Sequence, residues 1–382
     1  MSFLQIKAMY IYYFLLSGTK IKTYTVFKFC DLLFLVLIPI LLIFKSINNK
    51  KKFKNQDKYI IFVTMFYFLQ LLFISYKNLI NEITYYIPIL IGYFILNNNI
   101  KIKKKTYHKL LCTIVIFLIS VFFLEKTHTK YSNGIFNNPI GVGIYSLLGL
   151  YILDYSKVRV KLKNGLQIFF IGMIFYSNTR GSMVAALIYI LTRKGLNYKK
   201  VFKYIVSSIF LILFLNFSGI IKIEKILNKY NSKLDLLTGR PKIWEETIKY
   251  YFEESVMGSS LGHYNLITTL TKRGYPGNIH NGYLDILFSF GIILGTVIIF
   301  SIFYKLIKLV KSSVKYKIKT NQIGILLSIA ILSFGESVVF FTRVPIMAIF
   351  WITYRDLELE LKRLKNSHII SITKNKLRRK HT

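Results

Sequence analysis

KIEKILNKYNSKLDLLTGRPKIWEETIKYYFEESVMGSSLGHYNLITTLTKRGYPGNIHNGYLD, running from Lys222 to Asp285, is the one long stretch of this chain that is neither an apolar run nor a Lys-rich connector. It gathers much of the acidic complement, with Glu245, Glu246, Glu253 and Glu254 close together, and it carries several Gly-containing turns. On both sides of it apolar runs recur, separated by short basic segments. Crossing the hydrocarbon core of a bilayer as a helix takes about 20 predominantly apolar residues. The stretch therefore reads as a polar insertion in a membrane scaffold, and the fold class follows: an all-α polytopic membrane protein.

The composition agrees. Hydrophobic residues make up 53% of the 382, aromatics 16%, and there are only six prolines, a balance that belongs to integral membrane chains. A net charge of +37 in a soluble protein would point to nucleic acid. Here the Lys runs lie between apolar segments, where cytoplasmic loops carry them, so no nucleic-acid partner is expected. The only two cysteines, Cys30 and Cys112, fall in apolar segments expected near opposite membrane faces, too far apart to pair.

About 12 transmembrane helices are expected, near Phe3–Leu16, Val26–Phe44, Tyr59–Tyr76, Leu79–Leu96, Leu110–Leu124, Ile140–Tyr155, Gly165–Thr179, Gly181–Thr192, Tyr204–Gly219, Tyr283–Tyr304, Ile323–Phe341 and Pro345–Tyr354. No small-residue cleavage site follows the first, so it is expected to be retained rather than removed as a signal peptide. With the N-terminus inside, the basic connectors 45–58, 97–109, 156–164, 193–203 and 305–320 all fall on one side, together with the basic tail. The positive-inside rule then puts both termini in the cytoplasm of a multi-pass cell-membrane protein. Residues 1–382 form a single integral membrane domain, and 222–282 is one large extracytoplasmic loop between the ninth and tenth helices.

Two places inside this scaffold carry charge where charge is costly. The segments flanking Ser177-Asn178-Thr179-Arg180-Gly181-Ser182 are too short to span the core of about 30 Å. The turn is thus expected below the outer surface, lining a cavity, with Arg180 at membrane depth. An arginine there is a functional hypothesis by default. The last span is short as well, which sets Arg343 at similar depth. Glu336, seven residues earlier, would share its helical face and pair with it. A structural ion pair and a ligand site are equally good readings of these two residues.

Within the loop, Thr238-Gly239-Arg240-Pro241 reads as a helix start, since Pro suits the first turn. Ile243, Trp244, Ile248, Tyr251 and Phe252 then recur at helical spacing. One reading is an interfacial helix anchored by Trp and Tyr. The other places the Arg240 guanidinium beside a helix N-terminus, a location that favours anions, with a fork that grips phosphate in two places. Further on, Asn278-Ile279-His280-Asn281-Gly282-Tyr283 leads into a span. His280 or Asn281 serves there as a helix cap, or His280 sits neutral at a helix N-terminus, able to accept a proton. Met257–His263 is Gly-rich but follows no strand, and reads as a turn rather than a nucleotide loop. No P-loop, zinc spacing or metal-binding carboxylate pair is present in the sequence, so no cofactor and no metal are expected.

Thr179-Arg180-Gly181, Gly239-Arg240 with Trp244, the Gly258/Gly262 turn, and His280-Asn281 with Tyr283-Leu284 together resemble the O-antigen polymerase and ligase family, the Wzy and WaaL type. The resemblance covers about Gly134 to Leu294, and the rest by topology. The family usually has Ser where this chain has Thr179. The resemblance implies inverting, metal-independent glycosyl transfer at the outer membrane face, from a polyprenyl-diphosphate-linked oligosaccharide to an acceptor glycan. Carried onto this chain, it implies that Arg180 and Arg240 bind the diphosphate and that His280 activates the acceptor. Asn281, Tyr283, Glu336 and Arg343 are the further candidates for substrate contact.

The expected activity is polymerisation of lipid-linked repeats into a surface polysaccharide, with the lipid bilayer and other polysaccharide-assembly membrane proteins as its surroundings. Two rivals stand beside it: a ligase that moves finished glycan to another acceptor, and a flippase or other transporter of lipid-linked glycan. A flippase would be expected to show related halves and polar residues along many spans instead of one large outer loop.

Overall fold

A computed structural model describes residues 104–123, 136, 139–193, 240–254, 263–274, 279–316, 320–336 and 345–378. The expected spans at 3–16, 26–44, 59–76, 79–96 and 204–219, the loop segment 222–239, Cys30 and Arg343 lie outside the described residues. Among the described residues ten helices follow one another: α1 Lys104–Phe123, α2 Pro139–Tyr155, α3 Val160–Tyr176, α4 Arg180–Arg193, α5 Arg240–Glu254, α6 His263–Lys272, α7 Gly282–Phe290, α8 Ile292–Lys315, α9 Thr320–Leu332 and α10 Pro345–Arg378. Apart from an isolated bridge residue at Phe136, no β structure occurs among the described residues.

Two of these helices, α1 and α8, are long and apolar enough to cross a membrane. At 1.5 Å per residue they extend about 30 and 36 Å, against a hydrocarbon core of about 30 Å. Their outward faces carry Ile116, Phe122 and Phe123 on α1, and Ile293, Val297 and Phe300 on α8, all exposed. Apolar side chains turned outward in such numbers suit a helix whose solvent is lipid. The shorter α2 and the segment Asn321–Leu332 of α9 are apolar too. Both are lined by fully buried residues, among them Leu147, Tyr151, Ile325 and Leu326.

The bundle is held where small residues let backbones approach, the usual device of helices packed without a strong hydrophobic drive. A Cβ at Gly149 of α2 would collide with the Phe170 ring of α3. One at Gly324 of α9 would collide with Thr192 Oγ1 of α4. The same test puts Gly181, at the other end of α4, against Leu332 and Glu336 at the other end of α9. The two helices therefore run antiparallel in close contact.

At the Arg193 end of that pair, one carboxylate ties four helices together. Asp154 near the end of α2 pairs with Lys163 Nζ of α3 at 3.0 Å and with Arg193 Nη2 of α4 at 2.9 Å. Asn321 Nδ2 of α9 donates to it at 3.0 Å, and the Tyr189 hydroxyl is a further donor. Tyr151 adds an apolar edge to this knot, its ring 4.9 Å from that of Tyr189 and its hydroxyl 2.6 Å from Ser328 Oγ.

Several boundaries differ from the sequence expectation. The tenth span is not one helix: Gly291, at φ 85°, ends α7 and starts α8, and α8 continues through the basic run to Lys315. Along that run Lys308, Lys311 and Lys315 are exposed and Lys305 is half-buried. The eleventh span stops at Leu332 rather than 341, closing in the turn 333–336. The twelfth is the start of a 34-residue helix. Hydropathy alone could not see where α8 and α10 end, because helix geometry runs on through charged residues that are good helix formers.

Candidate functional site

Four chain segments converge at the Glu336 end of α9. α5 begins at Arg240, with Pro241 in its first turn as the sequence suggests. The Arg240 guanidinium crosses to the turn after α9, where Nη1 donates to the Gly335 carbonyl at 2.5 Å and Nη2 to Glu336 Oε1 at 2.7 Å. The second oxygen of Glu336 lies 3.1 Å from Nδ1 of His280. Glu336 is buried, while Arg240 and His280 are partly covered. One carboxylate thus spends both oxygens, one on a guanidinium and one on an imidazole.

The geometry around His280 is specified from both sides. Its backbone is left-handed, φ 53°, one of two non-Gly positive values among the described residues. Just before it, the Ile279 carbonyl accepts the Trp244 indole N–H of α5 at 2.8 Å. Just after it, Asn281 caps α7, its Oδ1 accepting from the backbone N–H of Tyr283 and Leu284. The Gly282 N–H then donates to the Ser333 carbonyl at 2.8 Å. A strained residue persists where its surroundings over-determine it, and His280 is tied to α5, α7 and α9 at once.

An ionised carboxylate only accepts hydrogen bonds, so the 3.1 Å contact makes His280 Nδ1 the donor. In the neutral ring this leaves Nε2 as the basic nitrogen. Which nitrogen of a histidine is protonated is commonly set in this way by the partner of the other.

Arg180 enters from α4. It is the first residue of that helix and is exposed. The turn before it holds the second left-handed residue, Asn178 at φ 49°. Ser177 Oγ and Thr179 Oγ1 are hydrogen-bonded at 2.7 Å, and Thr179 fits against Gly143 of α2 so closely that no Cβ would be tolerated there. Because Gly181 lies beside Leu332 and Glu336, the start of α4 stands at the rim of the Glu336 cluster.

Several of the residues singled out in the sequence behave otherwise. Glu336 stands past the end of α9, where Arg240 and His280 are its partners among the described residues; Arg343, its expected partner, lies outside them. Tyr283 is buried in the core, with its hydroxyl donating to the Ala330 carbonyl at 2.6 Å and its ring stacked on Phe303 at 5.4 Å. It joins α7 to α8 and α9, which a sequence pattern cannot distinguish from a ligand contact. Asn281 does the capping work that the sequence left open between it and His280. His263, expected in a turn, opens α6. The link that sequence reasoning missed is Glu336 to Arg240 and His280. Its one available signal was an acidic residue set inside an otherwise apolar segment.

Residues 166–300 match a family model described as O-antigen ligase. The match supports an O-antigen polymerase/ligase family and, with it, membrane glycan processing of the O-antigen ligase and polymerase type. Arg180, Arg240 and His280 all fall within the matched residues, whereas Glu336, which joins two of them, falls outside. No curated protein matches the chain.

Proposed function

We propose that this chain is a membrane glycosyltransferase that takes glycan from a polyprenyl-diphosphate donor at the outer face of the cell membrane and joins it to a lipid-linked repeat unit, so building a polysaccharide. The observation that carries this reading is the convergence of Arg240 and His280 on one buried carboxylate, with the helix start of Arg180 at its rim. The proposed topology is a single domain of about 12 spans with both termini cytoplasmic and 222–282 outside. A probe at Ser232 would then react from outside and one at Ser312 would not; the reverse pattern rejects this topology.

In the proposed step, an acceptor hydroxyl loses its proton to His280 Nε2 as its oxygen attacks the anomeric carbon of the donor. The bond from that carbon to the diphosphate oxygen breaks on the opposite face, the electron pair leaves with the diphosphate, and the configuration inverts. A sugar hydroxyl is a poor nucleophile, and a positioned base contributes about 10²–10⁴-fold. Glu336 orients the imidazole and balances its charge once it is protonated, the part a carboxylate plays in a Ser-His-Asp triad. Charge grows on the leaving diphosphate, where preorganised donors act most strongly. A guanidinium offers five N–H groups, so Arg240 can hold Glu336 and Gly335 while presenting others to phosphate. Arg180 meets the same group from α4. The bond energy resides in the activated donor, so the step needs no nucleotide.

The matched description, O-antigen ligase, favours a second reading in which the acceptor is a different lipid or protein. Purified protein in vesicles, given polyprenyl-diphosphate oligosaccharide alone, separates the two. A ladder of longer lipid-linked products supports polymerisation, and transfer only on addition of another acceptor supports ligation. Movement of the donor across the bilayer with no new glycosidic bond rejects both in favour of transport.

A further inference from the structure

α5 has three sectors rather than the two of an ordinary surface helix. Ile243, Thr247, Tyr250 and Tyr251 are buried against the protein. Lys242, Glu245 and Lys249 are exposed and charged, and Arg273 after α6 pairs with Glu246 and Glu253 beside them. Between these sectors, four residues apart and so on one edge, lie Ile248 and Phe252, which are 40% and 67% exposed. An isolated exposed apolar residue needs no explanation. This edge is different because of what it adjoins.

Tyr251, whose ring meets that of Phe252 edge-on at 5.7 Å, packs on Phe288 at 4.6 Å and accepts the N–H of Ile292 at 3.1 Å. Ile292 is the first residue of α8, the longer of the two helices able to cross a membrane. The next residue, Ile293, is 71% exposed, and Val297 and Phe300 continue the exposed apolar surface along α8. The apolar edge of α5 and the outward face of a membrane-length helix therefore start from one junction. A helix with a buried side, a charged side and bulky apolar residues at their border is built to lie in a bilayer interface.

We infer that α5 lies along the lipid surface, with Ile248 and Phe252 inserted among acyl chains next to α8 and the Lys242–Glu245–Lys249 side in water. Lipid is the occupant because the edge is continuous with a surface that a membrane-length helix already presents to it. The inference rests on the chain crossing a bilayer, not on the reaction it performs. At that depth the start of α5 carries Arg240 at the level of lipid phosphates, so a lipid-borne anion would meet it by moving in the plane of the membrane.

Spin labels test this in the full chain, with Cys30 and Cys112 replaced by Ser. The chain is reconstituted in vesicles of phosphatidylethanolamine and phosphatidylglycerol. Labels go at Phe252→Cys, at Ile248→Cys as a second site on the edge, at Lys249→Cys on the charged side, and at Val297→Cys on α8. Collision with oxygen reports lipid, and collision with a nickel chelate reports water. The labels at 252 and 248 should follow 297 in favouring oxygen, and the one at 249 should favour nickel. If 252 and 248 follow 249 while 297 still reports lipid, the inference fails and the membrane reading stands. Shielding of 252 and 248 from both reagents assigns the edge to protein and also overturns it. A water-like reading at 297 removes the span itself, and the inference with it.

Discussion

Two carboxylates, Asp154 and Glu336, sit at opposite ends of the α4–α9 pair, and each is almost wholly buried with cationic company. Asp154 is met by two cations, a tyrosine hydroxyl and an amide, all from helix ends that already pack together. Glu336 is met by one guanidinium and one imidazole brought from segments 96 and 56 positions away in the chain. Around Asp154 no described residue has a left-handed backbone, whereas His280 holds one. The first arrangement minimises the cost of a buried charge. The second spends backbone strain to set a titratable ring in one orientation. Burial of charge therefore does not single out a site; the strain and the mixed partners do.

The largest expected effect breaks the Glu336 side. His280→Ala should lower turnover by about 10²-fold or more, the scale of a lost general base, with donor binding changed far less. His263→Ala, at the start of α6, should keep near-normal turnover in the same assay. Near-normal turnover in His280→Ala would leave the imidazole as a structural group, and the two ends of the bundle would then differ only in kind of partner.

Arg240→Lys and Arg180→Lys follow, each expected to lower kcat by about 10²-fold, as for the loss of a donor that meets developing charge. A lysine keeps the charge but not the fork that, at position 240, reaches Gly335 and Glu336 together. Assay of the purified variants with lipid-linked repeats checks this, and full activity in Arg240→Lys would argue that charge alone suffices.

The Asp154 end should respond in stability alone. Asp154→Asn leaves Lys163 and Arg193 facing an amide and should cost about 2 kcal/mol, less than the full penalty of a broken buried pair because both cations are partly solvated. A lowered melting temperature in detergent with unchanged turnover per folded molecule is the expected result. Lys163→Ala is the smallest change, about 1 kcal/mol, because Arg193, Tyr189 and Asn321 still meet Asp154. Loss of turnover in either variant would merge the two ends into one functional network.

Much of this contrast could be read from residues alone, and some could not. Arg180 stood out as a charge between short apolar segments, and Arg240 and His280 because their motifs stand at helix starts. The α5 start at Arg240-Pro241 and the apolar segments of α2 and α4 were legible for the same local reasons. The partner of Glu336 was not. Helical periodicity relates residues three, four and seven apart, and it suggested Arg343; only tertiary packing brings Arg240 and His280 to it. The break at Gly291 was hidden too, because a glycine within an apolar run reads equally as packing or as a left-handed hinge until its φ is known.

The left-handed turn at His280 also sets a direction for change. A backbone at φ 53° is one that Gly adopts without a Cβ penalty, whereas His adopts it at some cost. His280→Gly should therefore relax the turn and raise thermal stability, by about 1 kcal/mol, while removing the imidazole. Stability and turnover then pull in opposite directions at one codon. Random mutation screened only for expression or heat resistance would drift toward a sturdier, silent protein. A melting curve and a turnover assay on His280→Gly would show that exchange in two measurements, and a destabilised variant would mean that the Glu336 contact outweighs the strain.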